Sequence, residues 1–230
     1  MSAVFVTATG TDIGKTFVTA ALIRQARGHG HAVHAIKPVV TGFDQADWAS
    51  SDPAVLLAAL ARSITLHEVE GISPWRFKAP LSPDMAGRRE GRAIAFAQLI
   101  EFCRDTLRTH PGLVLIEGIG GIMVPLDEHR TVLDWMSVLR IPVLLVTGTY
   151  VGTISHTLTA LEVLARRNLD IAAVVVNQSE QSAASLEETL ATLKRFADCI
   201  EVIGVARLAA GNFEHPAWTR IAAVVGGQYQ

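Results

Sequence analysis

The chain has 230 residues, of which 50% are hydrophobic, and its 20 basic and 22 acidic side chains give a formal net charge of −2. This length and apolar content predict a single large domain with a sizeable core. The near-neutral charge argues against nucleic acid as a partner, and two cysteines, Cys103 and Cys199, are too few for a disulfide framework or a thiolate zinc site.

The amino terminus and the apolar runs indicate where the protein is located in the cell. The first ten residues, MSAVFVTATG, have no basic stretch and no long apolar stretch, so we expect no secretory signal. The apolar runs at 141–146 and 171–176 have the length of strands and fall short of the ~18 residues of a membrane span. We therefore expect a cytoplasmic protein outside the membrane.

Short β-branched segments alternate with longer stretches of helical period along the chain. Strands are predicted at 3–8, 31–39, 113–118, 141–148, 171–177 and 201–206. Helices are predicted at 17–26, 96–107, 154–164 and 186–196. Four of the strands are nearly continuous apolar runs, typical of a parallel sheet that is buried on both faces. The alternation predicts a doubly wound α/β sheet with its ligands at the carboxyl ends of the strands, and section 63–92 is predicted to be a long loop.

The stretch VFVTATGTDIGKTF at 4–17 is predicted to be a strand, a phosphate-binding loop and the start of a helix. The pattern G-x-x-x-x-G-K-[ST] requires glycine at position 9, where this chain has Thr9. Gly10 and Gly14 still permit a tight loop that aims backbone N–H groups and a helix start at one anion. Lys15 would reach the outer phosphates and the Thr16 hydroxyl would bind Mg²⁺. The alternative is a chance Gly-Lys-Thr on a surface loop.

Three charged residues could complete a nucleotide site. Glu117 ends an apolar strand, where a metal-binding carboxylate is expected, although an ordinary strand-end glutamate is the alternative. Lys37 ends the second strand and could hold an anionic substrate, or it could be a surface lysine. Asp52, before Pro53, is taken by itself simply as a helix N-cap.

The segment TYVGTISHTLTALEVL at 149–164 begins an amphipathic helix. Gly152, Ser155 and His156 lie at its start, and a helix N-terminus rich in hydroxyl groups suits a carboxylate ligand. The alternative is that Thr153 or Ser155 only caps the helix. We assign His156 a structural role.

Five motifs together resemble the dethiobiotin synthetase family. They are TATGTDIGKT, KPVVTG, SSD, EGIGG and VGTISH, in this order and spacing over nearly the whole chain. The resemblance implies a P-loop NTPase fold and an ATP-dependent cyclo-ligase of biotin biosynthesis, working as a homodimer. Its substrates would be 7,8-diaminononanoate, CO₂ or bicarbonate, and ATP.

The resemblance also implies roles for individual residues. Lys15, Lys37 and Thr11 would be catalytic, and Mg²⁺ would be held by Thr16, Asp52 and Glu117. The nucleotide and its metal would contact Asp12, Ile13, Gly14, Lys15, Thr16, Phe17, Asp52, Glu117, Gly118, Gly120 and Asn177. The diamine substrate would contact Thr41 and, at the start of the 149–164 helix, Gly152, Thr153 and Ser155.

The chain departs from the family pattern in three places. Ser155 replaces an asparagine, Asp84 replaces a histidine after Ser-Pro, and 204–212 lacks a G-x-I-P motif near the nucleotide base. Two other hypotheses are therefore kept. One is a MinD/ParA-type nucleotide-switch ATPase, although Gly10-Thr11-Asp12 lacks the second lysine of that class. The other is a nucleotide-binding homologue with weakened catalysis.

Overall fold

A six-stranded parallel sheet forms the centre of the molecule in the computed structural model, which describes residues 2–182, 184–209 and 211–226. The strands are β1 (Ser2–Ala8), β2 (Val33–Ile36), β3 (Val39–Thr41), β4 (Trp75–Phe77), β5 (Leu113–Glu117), β6 (Val143–Thr147), β7 (Ile171–Asn177) and β8 (Val202–Val205). The strand order in the six-stranded sheet is β2-β5-β1-β6-β7-β8, and β3 pairs with β4 in a separate small parallel sheet. The predicted doubly wound α/β fold is confirmed.

Nine helices within the described ranges connect or flank the strands. They are α1 (Lys15–Gly28), α2 (Asp52–Ala59), α3 (Leu66–Ile72), α4 (Pro83–Arg89), α5 (Phe96–Thr109), α6 (Val132–Leu139), α7 (Thr153–Arg166), α8 (Leu186–Phe196) and α9 (Ala217–Gly226). Both α6 and α8 begin with a capping box, in which Thr131 or Ser185 accepts a hydrogen bond from a backbone N–H in the first turn. No helix in the described ranges is both long and apolar enough to cross a membrane.

The prediction of one strand over 31–39 is wrong, because the segment forms two strands in different sheets. Pro38 lies between them and has no N–H group for a strand ladder. The backbone of Lys37 instead bonds to the end of α3, where its N–H donates to Ile72 O at 3.1 Å and its carbonyl accepts from Ser73 Oγ at 2.6 Å. This break places the Lys37 side chain at the edge of the main sheet.

The prediction of a long loop at 63–92 is also wrong. The segment contains α3, β4 and α4. Its start signals were visible in the sequence, since Thr65 caps α3 by accepting from Glu68 N and Pro83 lies in the first turn of α4. These elements are too short for periodicity to reveal them.

The core lies on both faces of the main sheet. Strands β5 and β6 are buried along their whole length, and so are residues 4–8 of β1. Phe5 on β1 meets Trp135 on α6 edge to face, with ring centroids 4.8 Å apart. Burial on both faces explains why these strands are continuously apolar, and it leaves polar groups only at the strand ends.

Candidate active site

A cavity of about 350 Å³ lies at the carboxyl ends of β1, β2 and β5. It is lined by Thr11, Asp12, Gly14, Lys15, Thr16, Lys37, Val40, Thr41, Asp52, Ile119 and Gly120. Neighbouring parallel strands end at the same edge of the sheet, so residues far apart in sequence meet there. Nine of the eleven lining residues are predicted site residues.

The phosphate-binding loop, residues 9–14, runs from β1 into α1 and closes on Gly14. Gly14 has a φ of 96° and a ψ of 27°, in the left-handed region that favours glycine. A Cβ atom there would lie 2.3 Å from Nδ2 of Asn177. That Asn177 amide donates to the carbonyl of Ile13 at 3.0 Å. The end of β7 therefore supports the loop directly, and only glycine fits at its turn.

Lys15 lies across the loop. Its ammonium group donates to the carbonyl of Gly10 at 3.0 Å, and the residue is only 6% exposed. Burial, followed by the nearby charge of Lys37, lowers the pKa of Lys15 to about 8. Lys15 lines the cavity, where phosphate oxygens could accept hydrogen bonds from its ammonium group.

Lys37 connects two carboxylates at the bottom of the cavity. Its Nζ lies 2.7 Å from Oδ2 of Asp52 and also contacts Oε1 of Glu117. Burial alone would lower the pKa of Lys37, but the charges of Glu117 and Asp52 outweigh it and the pKa is raised. Burial would likewise raise the pKa of Asp52, but the Lys37 charge lowers it below its usual range. The charged forms of Lys37 and Asp52 thus stabilise each other.

The same cluster offers oxygen ligands for a divalent cation. Thr16 Oγ1 lies 2.6 Å from Oε1 of Glu117 and donates to it, while the buried Oε2 of Glu117 has no hydrogen-bond partner among the described residues. Asp52 supplies a further carboxylate that is 50% exposed toward the cavity. Mg²⁺ is usually bound by one or two carboxylates together with substrate phosphates and water, so the donor set fits this ion. No group of three or more His, Cys, Asp or Glu side chains suited to a metal occurs among the described residues.

The loop after β5 lines one side of the cavity. Gly118 N–H donates to Val6 O at 2.9 Å, which holds the loop against β1. Gly120 has a φ of 57°, and a Cβ atom there would lie 2.6 Å from Cγ2 of Val124 and 3.6 Å from Oγ1 of Thr11. This close approach explains why position 120 in the EGIGG motif is a glycine.

The predicted substrate residues fall into two places. Thr41, at the end of β3, lines the cavity. Gly152, Thr153 and Ser155 begin α7 and do not line it. Gly152 and Thr153 border a separate groove, and Thr153 Oγ1 lies 2.9 Å from Oγ1 of Thr147.

Other predicted positions have structural partners of their own. The ring of Phe17 packs against Phe213 and Trp218, with centroids 5.3 Å and 5.6 Å away. Asp84 accepts from Ser82 Oγ at 2.5 Å and pairs with Arg88 in α4. The 204–212 segment includes Ala210, which lies outside the described residues.

The N-cap of α2 is Ser51, so the prediction that Asp52 caps this helix is wrong by one residue. The change frees the Asp52 carboxylate for Lys37. Sequence reasoning also missed Val40 and Ile119, which line the cavity, and Tyr150, whose hydroxyl lies 3.0 Å from Oγ1 of Thr9. The only sequence signal for Val40 and Ile119 is that they lie inside the motifs KPVVTG and EGIGG.

The chain is similar in sequence to a family model and to two named proteins. A family model described as AAA domain matches residues 2–208. The ATP-dependent dethiobiotin synthetase BioD of Acidiphilium cryptum (strain JF-5) is 49% identical over 196 residues, covering 85% of this chain and 88% of that protein. The protein of the same name from Methylobacterium nodulans is 46% identical over 212 residues, covering 90% of this chain and 94% of that one.

Solved structures resemble the fold at low sequence identity. The cell division ATPase MinD of Pyrococcus furiosus matches with a TM-score of 0.52 and 15% identity, covering 98% of this chain and 97% of that one. A ParA family ATPase from Chlorobium tepidum matches with a TM-score of 0.51 and 13% identity, covering 98% and 89% of the two chains. At such identities the likeness establishes the P-loop NTPase fold and nothing about activity.

Proposed function

The chain belongs to the ATP-dependent dethiobiotin synthetase family, and we propose that it closes the cyclic urea of dethiobiotin from 7,8-diaminononanoate, CO₂ and ATP. One amine of the substrate adds to CO₂ and loses a proton, which gives a carbamate. A carbamate oxygen attacks the γ-phosphorus of ATP, giving a carbamic–phosphoric anhydride and ADP. The second amine then attacks the carbamate carbon, and phosphate leaves as the ring closes.

The cluster of Lys37 with Asp52 and Glu117 is the observation that carries this proposal. A P-loop alone binds nucleotides, but here a buried ammonium group lies beside the carboxylates that would bind the metal, and its charge would stabilise a carbamate and a γ-phosphate that meet there. Lys15 supplies the second cation from the loop itself. The two lysines would stabilise the charge that spreads over the transferring phosphoryl group.

We assign the remaining groups by their place in the cavity. Thr11 and Thr41 line it together with Lys37 and would hold the reacting amine and carbamate. Thr16, Asp52 and Glu117 would hold Mg²⁺, which neutralises charge on the β- and γ-phosphates when it is bound.

The nucleotide would lie along the loop and α1. The backbone of residues 12–17 would hold the phosphates, with Gly118 and Gly120 closing the opposite side. Asn177, fixed by its bond to Ile13 O, lies at the end of β7 beyond the phosphates and would contact the base.

We further propose a homodimer in which Gly152, Thr153 and Ser155 bind the substrate carboxylate of the partner's site. These residues do not line the cavity of their own chain. Two apolar side chains in this part of the chain are exposed. Val151, directly before Gly152, is 81% exposed, and Met123, in the loop after β5, is 55% exposed. ATP and bicarbonate are abundant in the cytoplasm, where we propose the enzyme acts.

The nucleotide-switch alternative is not favoured. The MinD and ParA matches carry only the fold, and Gly10-Thr11-Asp12 lacks the second lysine of that class.

The experiment is a reconstitution with purified protein, diaminononanoate, bicarbonate, Mg²⁺ and ATP, followed by mass spectrometry for dethiobiotin. We expect product that depends on every component and accumulates in step with phosphate. If no nucleoside triphosphate gives product, the ligase proposal is wrong. Nucleotide binding without product would instead support the weakened homologue.

A further inference from the structure

A chain of side-chain hydroxyl groups joins the phosphate-binding loop to the first turns of α7. Thr9 Oγ1 lies 3.2 Å from Oγ1 of Thr147 and 3.0 Å from the hydroxyl of Tyr150. The Tyr150 hydroxyl in turn lies 3.1 Å from Nδ1 of His156. Thr9 occupies the position where the P-loop pattern requires glycine. The connection therefore depends on the residue at which this loop departs from the pattern.

The inner end of the chain fixes the direction of its hydrogen bonds. Thr153 Oγ1 donates to Gly148 O at 2.7 Å, and Thr157 Oγ1 donates to Thr153 O at 2.7 Å. A hydroxyl has one proton, so both threonines can only accept a further bond. Thr147 Oγ1 lies 2.9 Å from the first hydroxyl and 2.8 Å from the second. The single proton of Thr147 then serves one of these two contacts, and the other contact has no proton.

The outer end follows from the inner one. Because Thr147 has no proton left for Thr9, Thr9 must donate to Thr147. Thr9 can then only accept from Tyr150, which uses the phenol proton. The Tyr150 oxygen can only accept from His156, so Nδ1 of that imidazole must carry hydrogen. In the opposite direction, the contact between Thr9 and Thr147 would also lack a proton, so two contacts of the chain would be without one rather than a single contact.

The tautomer decides what His156 can do. In a neutral imidazole with hydrogen on Nδ1, Nε2 has a lone pair and is the basic atom. His156 is exposed and lines a cavity of about 470 Å³ together with Thr11, Val124, Ala160 and Val163. The apolar members of this wall suit an alkyl chain, and Thr11 belongs also to the nucleotide cavity.

We propose that the hydroxyl chain holds His156 as its Nδ1–H tautomer, so that Nε2 accepts a proton from an alkylammonium group in this cavity. The tautomer follows from the geometry alone, whereas the ammonium of the diamine as the donor rests on the proposed function. In the step, R–NH₃⁺ transfers one proton to Nε2, leaving R–NH₂ with a lone pair for attack on carbon. His156 becomes an imidazolium that donates through both nitrogens and later releases the proton to water.

The first test reads the tautomer without any activity. Long-range ¹H–¹⁵N correlation spectra distinguish Nδ1–H from Nε2–H imidazoles, and a His156→Asn spectrum assigns the signal. We expect the Nδ1–H pattern for His156, changing toward Nε2–H in Tyr150→Phe while the variant keeps the wild-type thermal unfolding midpoint. His129→Asn, in an exposed loop, is the matched control and should leave the pattern unchanged. An Nε2–H pattern in the wild-type protein would overturn the proposal.

The second test adds the diamine substrate to the same sample. We expect the His156 nitrogens to move toward imidazolium values, and His156→Gln to lower kcat about 10²-fold with a smaller change in KM. Full activity of His156→Gln, with unmoved nitrogen signals, would overturn the acceptor role and leave the ligase proposal standing. Loss of product in the wild-type protein would instead overturn the ligase proposal, while the tautomer could still be read.

Discussion

Lys37 Nζ lies 2.7 Å from Oδ2 of Asp52, at the bottom of a cavity that also contains the phosphate-binding loop. Lys37 is 3% exposed, and its other partner, Glu117, is fully buried. The ammonium thus lies where a divalent cation would also be attracted. A divalent cation bound with the nucleotide would compete with Lys37 for the same carboxylates. The ammonium group of Lys37 would then be available to the carbamate.

We expect Lys37→Ala to lower turnover by about 10²-fold or more, because it removes positive charge aimed at the transferring phosphoryl group. Nucleotide binding should be largely retained, since Lys15 and the loop are untouched. The measurement is kcat together with the nucleotide Kd. Lys194→Ala, at an exposed position of α8, is the control and should match the wild-type protein. Normal turnover of Lys37→Ala would remove Lys37 from the mechanism.

Glu117→Gln should weaken the dependence of nucleotide binding on Mg²⁺. The substitution keeps the shape but removes the carboxylate charge on which the metal and Lys37 both depend. Calorimetric titration of ATP with and without Mg²⁺ measures the effect. Glu187→Gln, exposed on α8, is the matched control. An unchanged Mg²⁺ dependence would mean that Glu117 is not a metal ligand.

Nucleotide binding should take up protons near pH 8. Burial lowers the pKa of Lys15 to about 8, and phosphate oxygens would raise it again on binding. Affinity should therefore be flat below this pKa and weaken as pH rises through it. Titrations at pH 8 in buffers of different ionisation enthalpy measure the uptake. If Lys15→Met takes up as many protons, another group is responsible.

Gly14→Ala should destabilise the protein and impair nucleotide binding. The new Cβ would lie 2.3 Å from Asn177 Nδ2, and the φ of 96° is unfavourable for alanine. Gly28→Ala is the contrasting control, because no atom lies within 4 Å of a Cβ there and the residue ends α1. Thermal unfolding of both variants measures the difference. Equal midpoints would contradict the close packing of the loop on β7.

Stability should fall on acidification below about pH 6.5, the unperturbed histidine pKa. Burial, then the charges of His110 and Arg62, lower the pKa of His34 to about 4 in the folded protein. The unfolded chain therefore binds a proton there that the folded one does not, and stability is lost as pH falls from 6.5 toward 4. The ring of His34 stacks on that of His110 with centroids 3.7 Å apart. His34→Phe should reduce the pH slope of the unfolding midpoint, and an unchanged slope would refute this origin.

Much of the sheet and of the phosphate end of the site could be predicted from the sequence. Strands buried on both faces must be apolar, so β1, β5, β6 and β7 were visible as runs, and their ends located Glu117 and Asn177. The break at Pro38 was missed because the apolar pattern resumes directly after it, at Val39 and Val40. The pattern of burial does not reveal that β3 leaves the sheet.

The contacts made by side chains could not be predicted. Asp52 looked like a helix cap because its role depends on Lys37, which comes fifteen positions earlier in the chain. The same holds for Tyr150, which follows β6, because its partner Thr9 follows the neighbouring strand β1. Such pairs arise from topology, which brings together strand ends that are distant in sequence. The assigned roles of all the site residues, from Lys15 and Lys37 to the start of α7, stay predictions.

The fate of the bicarbonate oxygens tests the central claim most directly. If the carbamate attacks ATP in this cavity, a single turnover with ¹⁸O-labelled bicarbonate should release phosphate that carries one ¹⁸O atom for each dethiobiotin formed. Mass spectrometry of phosphate and product from one quenched sample measures both. Product accompanied by unlabelled phosphate would contradict the account, because the carbamate oxygen would then never have bonded to phosphorus.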